Sequence, residues 1–301
     1  MLSVDYNEST FTKPLKEEIT PLFTVVENSI DTEFRHKENL YDDFDREILL
    51  PHILSRQGPC MAVADVNKDG LEDIYIGGAK ESNGSLYIQS AKGTFSLTNI
   101  SMFAKDKMSE DLGALFFDAD ADGDIDLYVA SGGNDYSEND KDFQDRLYIN
   151  NGAGDFKKSI GTLPKMITST KVVKSVDFDS DGDMDLFVGG RLVAGKYPSS
   201  PRSYLLENDN GIFKDVTEKY CKDLLAPGMV TGVEFNDVNG DGKIDLTLVG
   251  EWMGFTTFLN KGDHFEMQQI ESETEGLWFS LIATDIDKDG DMDFVAGNLG
   301  C

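Results

Sequence analysis

Cysteine is scarce: Cys60, Cys221 and Cys301 are the only three in 301 residues. They are far apart and odd in number, so they imply no disulfide framework. Histidine is equally rare. His36, His52 and His264 have neither the spacing of a zinc site nor that of a catalytic triad. No G-x-S-x-G, H-E-x-x-H or phosphate-cradling loop occurs, so no catalytic residue is assigned. No apolar run reaches 18 residues, which leaves no helical membrane span. The opening MLSVDYNESTF lacks the charged start and apolar core of an export signal. Basic residues number 27 against 56 acidic ones, for a formal charge of −29. Nucleic acid and anionic lipid both need a basic face, so neither is an expected partner.

What the chain has instead is aspartate in a fixed pattern. D-x-[DN]-x-D-G-x-x-D occurs as DVNKDGLED from Asp65, DADADGDID from Asp118, DFDSDGDMD from Asp177, DVNGDGKID from Asp237 and DIDKDGDMD from Asp285. Carboxylates on alternate positions of nine residues coexist cheaply only around a cation. Their oxygens suit a hard ion such as Ca2+, which takes six to eight of them at roughly 2.3–2.6 Å. With no His or Cys in the loops, zinc and softer metals fit poorly. A single such stretch could equally be a solvated acidic loop. The first aspartates, however, lie 53, 59, 60 and 48 residues apart, which makes this an internal repeat.

The repeat is not an EF-hand. That motif needs a bidentate Glu at loop position 12, where this chain has Ile76, Val129, Val188, Leu248 and Ala296. The flanks are also strand-like. MAVADV and ALFFDA lead in, and IYIGGA, LYVASGG, LFVGGR and LTLVGEW lead out. SLYIQSAKGTF, RLYINNGAGDF, SYLLENDNGIF and TFLNKGDHF then each give a strand, a Gly/Asn turn and another strand. One unit therefore reads as four antiparallel strands, with the acidic loop joining the first two. The expected fold is all-β, a β-propeller of four-stranded blades.

These loops and strands resemble the FG-GAP/VCBS-repeat β-propellers, which include the calcium-loop blades of the integrin α-subunit head. The resemblance covers about residues 60–301. The lead-in HKENLYDDFDREILLPHILSRQGP, residues 36–59, looks like that of large bacterial VCBS-repeat proteins, many from Bacteroidetes. The resemblance implies side-chain ligands at loop positions 1, 3, 5 and 9 and a backbone carbonyl at position 7. Carried over, these are Asp65, Asn67, Asp69 and Asp73 with Leu71; Asp118, Asp120, Asp122 and Asp126 with Asp124; and Asp177, Asp179, Asp181 and Asp185 with Asp183. The last two loops give Asp237, Asn239, Asp241 and Asp245 with Lys243, and Asp285, Asp287, Asp289 and Asp293 with Asp291. About five Ca2+ ions are thus expected, the fourth site being weakest because Asn239 and Lys243 reduce its charge. Such loops are useful where calcium is millimolar, so the expected location is outside the cell or in its envelope, with the cytoplasm as the alternative.

Residues 1–20 read as a loose tail and 21–59 as a lead-in. Within the lead-in, LFTVVE (22–27) is a possible ring-closing strand, and NLYDDFDREILLPHIL a short helix or irregular crossing ending around Pro51. Blades are expected at about 60–109, 110–169, 170–227, 228–274 and 275–301. The fifth is incomplete, so the propeller holds about five of the seven blades the family implies. Strand parity puts the acidic loops on one face and the connections between second and third strands on the other. Two of those connections, 131–146 and 189–202, are long, and long connections on a rigid scaffold tend to bind ligands. Asn134, Arg191, Tyr197, Arg202, Glu251 and Trp252 are the ligand-binding candidates there, near the channel mouth. In a blander reading Trp252 and Trp278 pack between blades and Arg191 pairs with an acid. The expected function is adhesion or binding of a protein or carbohydrate at a surface. The alternatives are a polysaccharide lyase, with Arg191, Arg202 and Lys196 as its only clustered cations, or a purely structural module of a larger secreted protein.

Overall fold

A computed structural model describes residues 29–30, 34–269 and 274–299. Short β-branched and aromatic runs form the strands, and the glycine-rich acidic loops turn the chain between them. Four sheets of four antiparallel strands follow one another along the sequence, each in the order first to fourth. The first holds β1 (Met61–Ala64), β2 (Asp73–Ile76), β3 (Ser85–Gln89) and β4 (Phe95–Thr98). The second holds β5 (Glu110–Phe117), β6 (Asp126–Gly132), β7 (Arg146–Asn150) and β8 (Phe156–Lys158). The third is β9 (Ser169–Val176), β10 (Asp185–Leu192), β11 (Tyr204–Asp209) and β12 (Ile212–Asp215). The fourth is β13 (Met229–Asn236), β14 (Asp245–Met253), β15 (Thr256–Asn260) and β16 (Phe265–Gln269). A hairpin, β17 (Gly276–Thr284) and β18 (Asp293–Asn298), follows and pairs back onto β14 at Glu251 and Met253. The fold is all-β and blade-built, as the repeat predicts.

The second strand of each blade is the most apolar, and burial follows: every residue of β6 and β10 is buried. Separate cores fill the seams. Leu86, Tyr75, Leu127 and Tyr148 pack between blades one and two, and Tyr128, Leu147, Leu186 and Leu206 between two and three. Phe187, Leu205, Leu246 and Phe258 pack between three and four. The first strands β1, β5, β9, β13 and β17 line a common channel of about 350 Å3. Their close approach needs small residues. A Cβ added at Gly232 would lie 2.9 Å from Leu281 Cβ on the next inner strand. Bulges interrupt the pairing of first with second strand in blades two to four and in the final hairpin.

The lead-in runs over the face opposite the acidic loops. It contains one helical turn, α1 (Asp43–Arg46), and is otherwise irregular. Leu50 and Leu54 bury themselves against Tyr136, Phe143, Leu192 and Ala194 of the two long connections. The LFTVVE stretch lies outside the described residues. Ser29 and Ile30, just after it, run parallel to β4 at the rim of the first blade, with Phe95 N–H bonding to Ser29 O at 2.6 Å.

Candidate metal centres

All five acidic loops share one backbone scaffold. The position-1 aspartate accepts the N–H of the position-6 glycine: Gly70 to Asp65 at 2.8 Å, Gly123 to Asp118 at 3.0 Å, Gly182 to Asp177 at 3.1 Å, Gly242 to Asp237 at 2.8 Å and Gly290 to Asp285 at 3.2 Å. The position-5 carboxylate accepts the N–H of position 7, at 2.8 Å for Asp122 and Asp124 and at 3.0 Å for Asp241 and Lys243. Both bonds require a left-handed turn. Gly182 has φ +101° and Gly290 +98° with no atom near the absent Cβ, so conformation rather than space demands glycine.

Side chains then converge. Single carboxylate oxygens of Asp118, Asp120 and Asp122 lie within 4.8 Å of one another, as do those of Asp177, Asp179 and Asp185 and of Asp285, Asp287 and Asp289. In the second loop Asp118 Oδ1 and Asp120 Oδ1 are buried with no hydrogen-bond partner. Orphaned anionic oxygens facing one another are costly unless a cation joins them. The donor set therefore fits a hard divalent ion. In the first loop Asn67 Nδ2 instead donates to Asp69 Oδ2 at 3.2 Å.

Position 9 has a second role. Asp73, Asp126, Asp185 and Asp245 are fully buried. Oδ2 of each accepts the position-2 N–H of its own loop, from Val66, Ala119, Phe178 and Val238 at 2.9–3.1 Å. Oδ1 accepts a third-strand N–H, from Gln89, Asn150, Asn208 and Asn260 at 2.7–2.8 Å. Burial pushes Asp126 and Asp185 up to about 7 against those bonds. Asparagines extend the brace across blades. Asn150 Nδ2 donates to Val66 O at 2.7 Å, Asn208 Nδ2 to Ala119 O at 2.9 Å and Asn260 Nδ2 to Phe178 O at 3.0 Å. Lys68 adds an exposed ion pair to Asp124 in the next loop at 2.5 Å.

On the opposite face, Arg191, Tyr197, Glu251 and Trp252 come together. Arg191 Nη2 is ion-paired with Glu251 Oε1, and both side chains are fully buried. Tyr197 Oη donates to Glu251 Oε2 at 2.9 Å, and Trp252 Nε1 donates to Tyr197 Oη at 2.6 Å. Asn134 is buried in a neighbouring cluster, with Nδ2 on Asp43 Oδ1 at 2.8 Å and Glu47 Oε2 at 2.9 Å. Arg202 stands apart, bonded to the outer-strand Asp215 at 2.6 Å and over the Tyr204 ring. Only Trp252 is well exposed, at 60 %, and its φ of +57° is rare for a tryptophan. Trp278, by contrast, packs edge-on to Phe255.

The FG-GAP-like repeat matches this chain at residues 65–129, 118–188 and 237–296. The chain belongs to the FG-GAP-like repeat family. No curated protein sequence matches it. Several solved structures are similar, two of them as follows. One is the V. cholerae biofilm matrix protein Bap1, at 13% identity and TM-score 0.38, covering 81% of this chain and 35% of that one. The other is a candidate exo-β-1,3-galactanase from Bifidobacterium bifidum s17, at 11% identity and TM-score 0.41, covering 78% and 79%. The chain thus spans about a third of the length of Bap1.

In this FG-GAP chain the lead-in supplies the partners that sequence reasoning missed. His52 Nε2 lies 3.0 Å from Glu251 Oε1, and Gln57 Oε1 accepts from Arg191 Nε at 3.0 Å. Burial works to raise Glu251, but the His52 hydrogen bond and the Arg191 guanidinium overcome it and hold the carboxyl at about 2. Arg46 caps the carbonyls of Tyr136 at 2.7 Å and Ala194 at 3.1 Å. A third group is acidic. Glu110 is fully buried with both carboxylate oxygens unpartnered, and Asp135 Oδ1 and Glu38 Oε2 are also buried and unpartnered. Burial, with the charges of Asp135 and Glu38, pushes Glu110 up to about 9.

Proposed function

We propose that this FG-GAP chain is a calcium-stabilised propeller module working outside the cell or in its envelope, and that it binds a protein or glycan through the face opposite its acidic loops. The observation that carries the calcium assignment is the convergence of Asp118, Asp120 and Asp122 with two buried, orphaned oxygens. Positions 1, 3 and 5 of each loop would hold the ion, with the position-7 carbonyl and the position-9 carboxylate. The ion supplies positive charge and oxygen coordination. The chain's own residues hold the backbone turns, bury the brace and tie neighbouring blades.

The extracellular assignment follows from magnitude. At a Kd near ~0.1 mM and free Ca2+ of ~1 mM, each site adds roughly 1.4 kcal/mol. Five independent sites would total about 7 kcal/mol, comparable to the stability of a whole domain. Cytosolic calcium would leave such sites empty. The binding-face assignment is supported by the long connections and by the exposed Trp252 ring beside Tyr197. Arg191, Asn134 and Glu251 are buried and would act by shaping that surface.

Two measurements test this. Dialysis against EDTA should lower Tm strongly, Ca2+ should restore it, and Mg2+ should do so poorly; an unchanged melt would remove the calcium assignment. Trp252→Ala should abolish capture on a glycan array or in a pull-down while leaving calcium stoichiometry intact. Capture blocked only by changes in the acidic loops would place binding on the metal face.

A further inference from the structure

Each complete blade holds its own third strand in one way. The position-9 aspartates Asp73, Asp126, Asp185 and Asp245 accept an N–H from it. In blades two to four the residue so held is an asparagine, whose Nδ2 reaches the position-2 carbonyl of the preceding loop. Asn150 and Asn208 also donate to the position-8 carbonyls of their own loops, Ile125 O at 3.0 Å and Met184 O at 3.1 Å. Two residues before the asparagine a large apolar side chain, Tyr148, Leu206 or Phe258, lies opposite the first apolar residue of the second strand. The hairpin β17–β18 repeats half of this. Asp293 Oδ2 accepts Ile286 N–H at 2.9 Å, so its loop is braced. Asp293 Oδ1, Met292 O and Val238 O, however, have no donor among the described residues. β18 pairs with β17 along one edge and with no described strand along the other. Val295 is 47 % exposed where Tyr75, Tyr128, Phe187 and Thr247 are fully buried. Val238 is 38 % exposed where Val66, Ala119 and Phe178 are buried in the seam with the next blade. Asn236 points to the same seam. It is 7 % exposed, and neither its Nδ2 nor its Oδ1 has a partner. It precedes Asp237 as Phe117 precedes Asp118 and Val176 precedes Asp177. Those two positions face the fourth strand of the next blade: Phe117 packs edge-on to Phe213, and Val176 shares a core with Phe265.

We propose that the outer edge of β18 is a docking site for a β-hairpin of a separate polypeptide, and that it selects the hairpin by an asparagine placed two residues after a large apolar one. The incoming strand adds antiparallel to β18, with its apolar residue opposite Phe294 and the residue before it beside Val295. Its asparagine then meets all three unused acceptors: the backbone N–H bonds to Asp293 Oδ1, and Nδ2 lies between Met292 O and Val238 O. Main-chain bonds along the edge give affinity, and the side-chain code gives selectivity. The repeat by itself implies only that a blade has four strands; what recognises the third follows from these bonds and from the seams the chain already makes within itself. Opposite Asn236 the hairpin carries a polar side chain in place of the phenylalanine that opens the fourth strand as Phe156 or Phe265, because a buried amide left unbonded is costly. A second copy of this chain is the poorer occupant, since among the described residues its four such hairpins are built into its own blades. The site lies on the edge of the ring and does not depend on which face binds a ligand.

The probe is the second-blade hairpin of this chain as a synthetic peptide, DRLYINNGAGDFKK, residues 145–158. Isothermal titration into the calcium-loaded protein should show saturable binding, and amide hydrogen exchange at Phe294, Val295 and Ala296 should slow at least tenfold. Asn150→Ala in the peptide should weaken binding at least tenfold. Val295→Asp in the protein should do the same, with Tm and calcium stoichiometry unchanged. Phe156→Gln in the peptide should bind at least threefold tighter than the parent sequence, and Asn236→Phe in the protein should reverse that preference. No saturable binding, or binding that ignores Asn150, overturns the site. Indifference to residue 156 overturns the role given to Asn236. Self-association abolished by Val295→Asp, without peptide binding, would make the edge a contact between copies and overturn the hairpin assignment.

Discussion

Replacing Glu110 by glutamine should stabilise the protein at neutral pH and remove a pH dependence. Glu110 is fully buried, and neither carboxylate oxygen has a donor. Burial first, then the charges of Asp135 and Glu38, raise it from 4.5 to about 9. An acid whose folded pKa is raised gives its full stability below its unfolded value and loses it as pH climbs toward the folded value. For Glu110 that window runs from 4.5 to about 9. At 1.36 kcal/mol per unit, holding Glu110 neutral costs about 3 kcal/mol at pH 7. Glutamine is neutral at every pH, and its amide offers N–H groups to the orphaned Asp135 Oδ1 and Glu38 Oε2. Urea titrations of both proteins at pH 5, 7 and 8.5, with calcium saturating, give the comparison. The stability difference should widen by about 1.4 kcal/mol per pH unit in favour of Glu110→Gln. Parallel pH profiles would refute the reasoning and mean that Glu110 is ionised and matched by a cation.

Gly182→Ala should cost about 1–2 kcal/mol from backbone strain alone, since its φ is +101° and no atom crowds the new methyl. Gly240→Asn should cost much less, because Lys68, Ala121, Ser180 and Lys288 already hold the same left-handed position in the other loops; thermal melts rank the two. Asn208→Ala deletes buried bonds to Ala119 O and Met184 O and one from Gly211 N, and should cost about 2–3 kcal/mol in chemical denaturation. Asp122→Ala should lower calorimetric calcium stoichiometry by one. Asp124→Asn should leave stoichiometry intact, because position 7 is proposed to act through its backbone carbonyl, and it loses only the solvent-screened pair with Lys68.

The repeat was legible because its constraints are local. A left-handed glycine, alternate aspartates and a following apolar strand sit within a dozen residues, so one stretch of sequence carries them all. Position 9 was legible only as a ligand. Its burial under backbone N–H groups depends on a third strand that arrives 16 residues later for Asp73, 24 for Asp126 and 15 for Asp245. That irregular delay also hid the inter-blade asparagines, which read as turn residues. The lead-in contacts left no periodic trace, since His52 and Glu251 are 199 residues apart. A long connection signals that something binds there, but not whether the partner is foreign. Here part of the answer is the chain's own residues 34–59. The bland reading of the tryptophans holds for Trp278, which packs on Phe255, and fails for Trp252, whose left-handed backbone turns its ring into solvent.

The two faces are joined by the central strands. β10 begins at Asp185, in an acidic loop, and six residues on carries Arg191 at the opposite face; β14 begins at Asp245 and six residues on carries Glu251. At about 3.3 Å per residue each strand is a strut of roughly 20 Å between the loop and the opposite face. The seam between blades three and four is therefore fastened at both ends. Asn260 bonds Phe178 O on the loop side, and the Arg191–Glu251 pair closes the other. Phe178 N–H is itself held by Asp185, so the residue that receives the next blade's asparagine is fixed by a loop aspartate. Loss of the proposed cation from the third loop would leave Asp177, Asp179 and Asp185 facing one another, and their repulsion would act directly on that seam. In this arrangement a cation bound as proposed would do more than stiffen a surface turn: it would set the spacing of blades whose far ends meet at the Arg191–Glu251 pair.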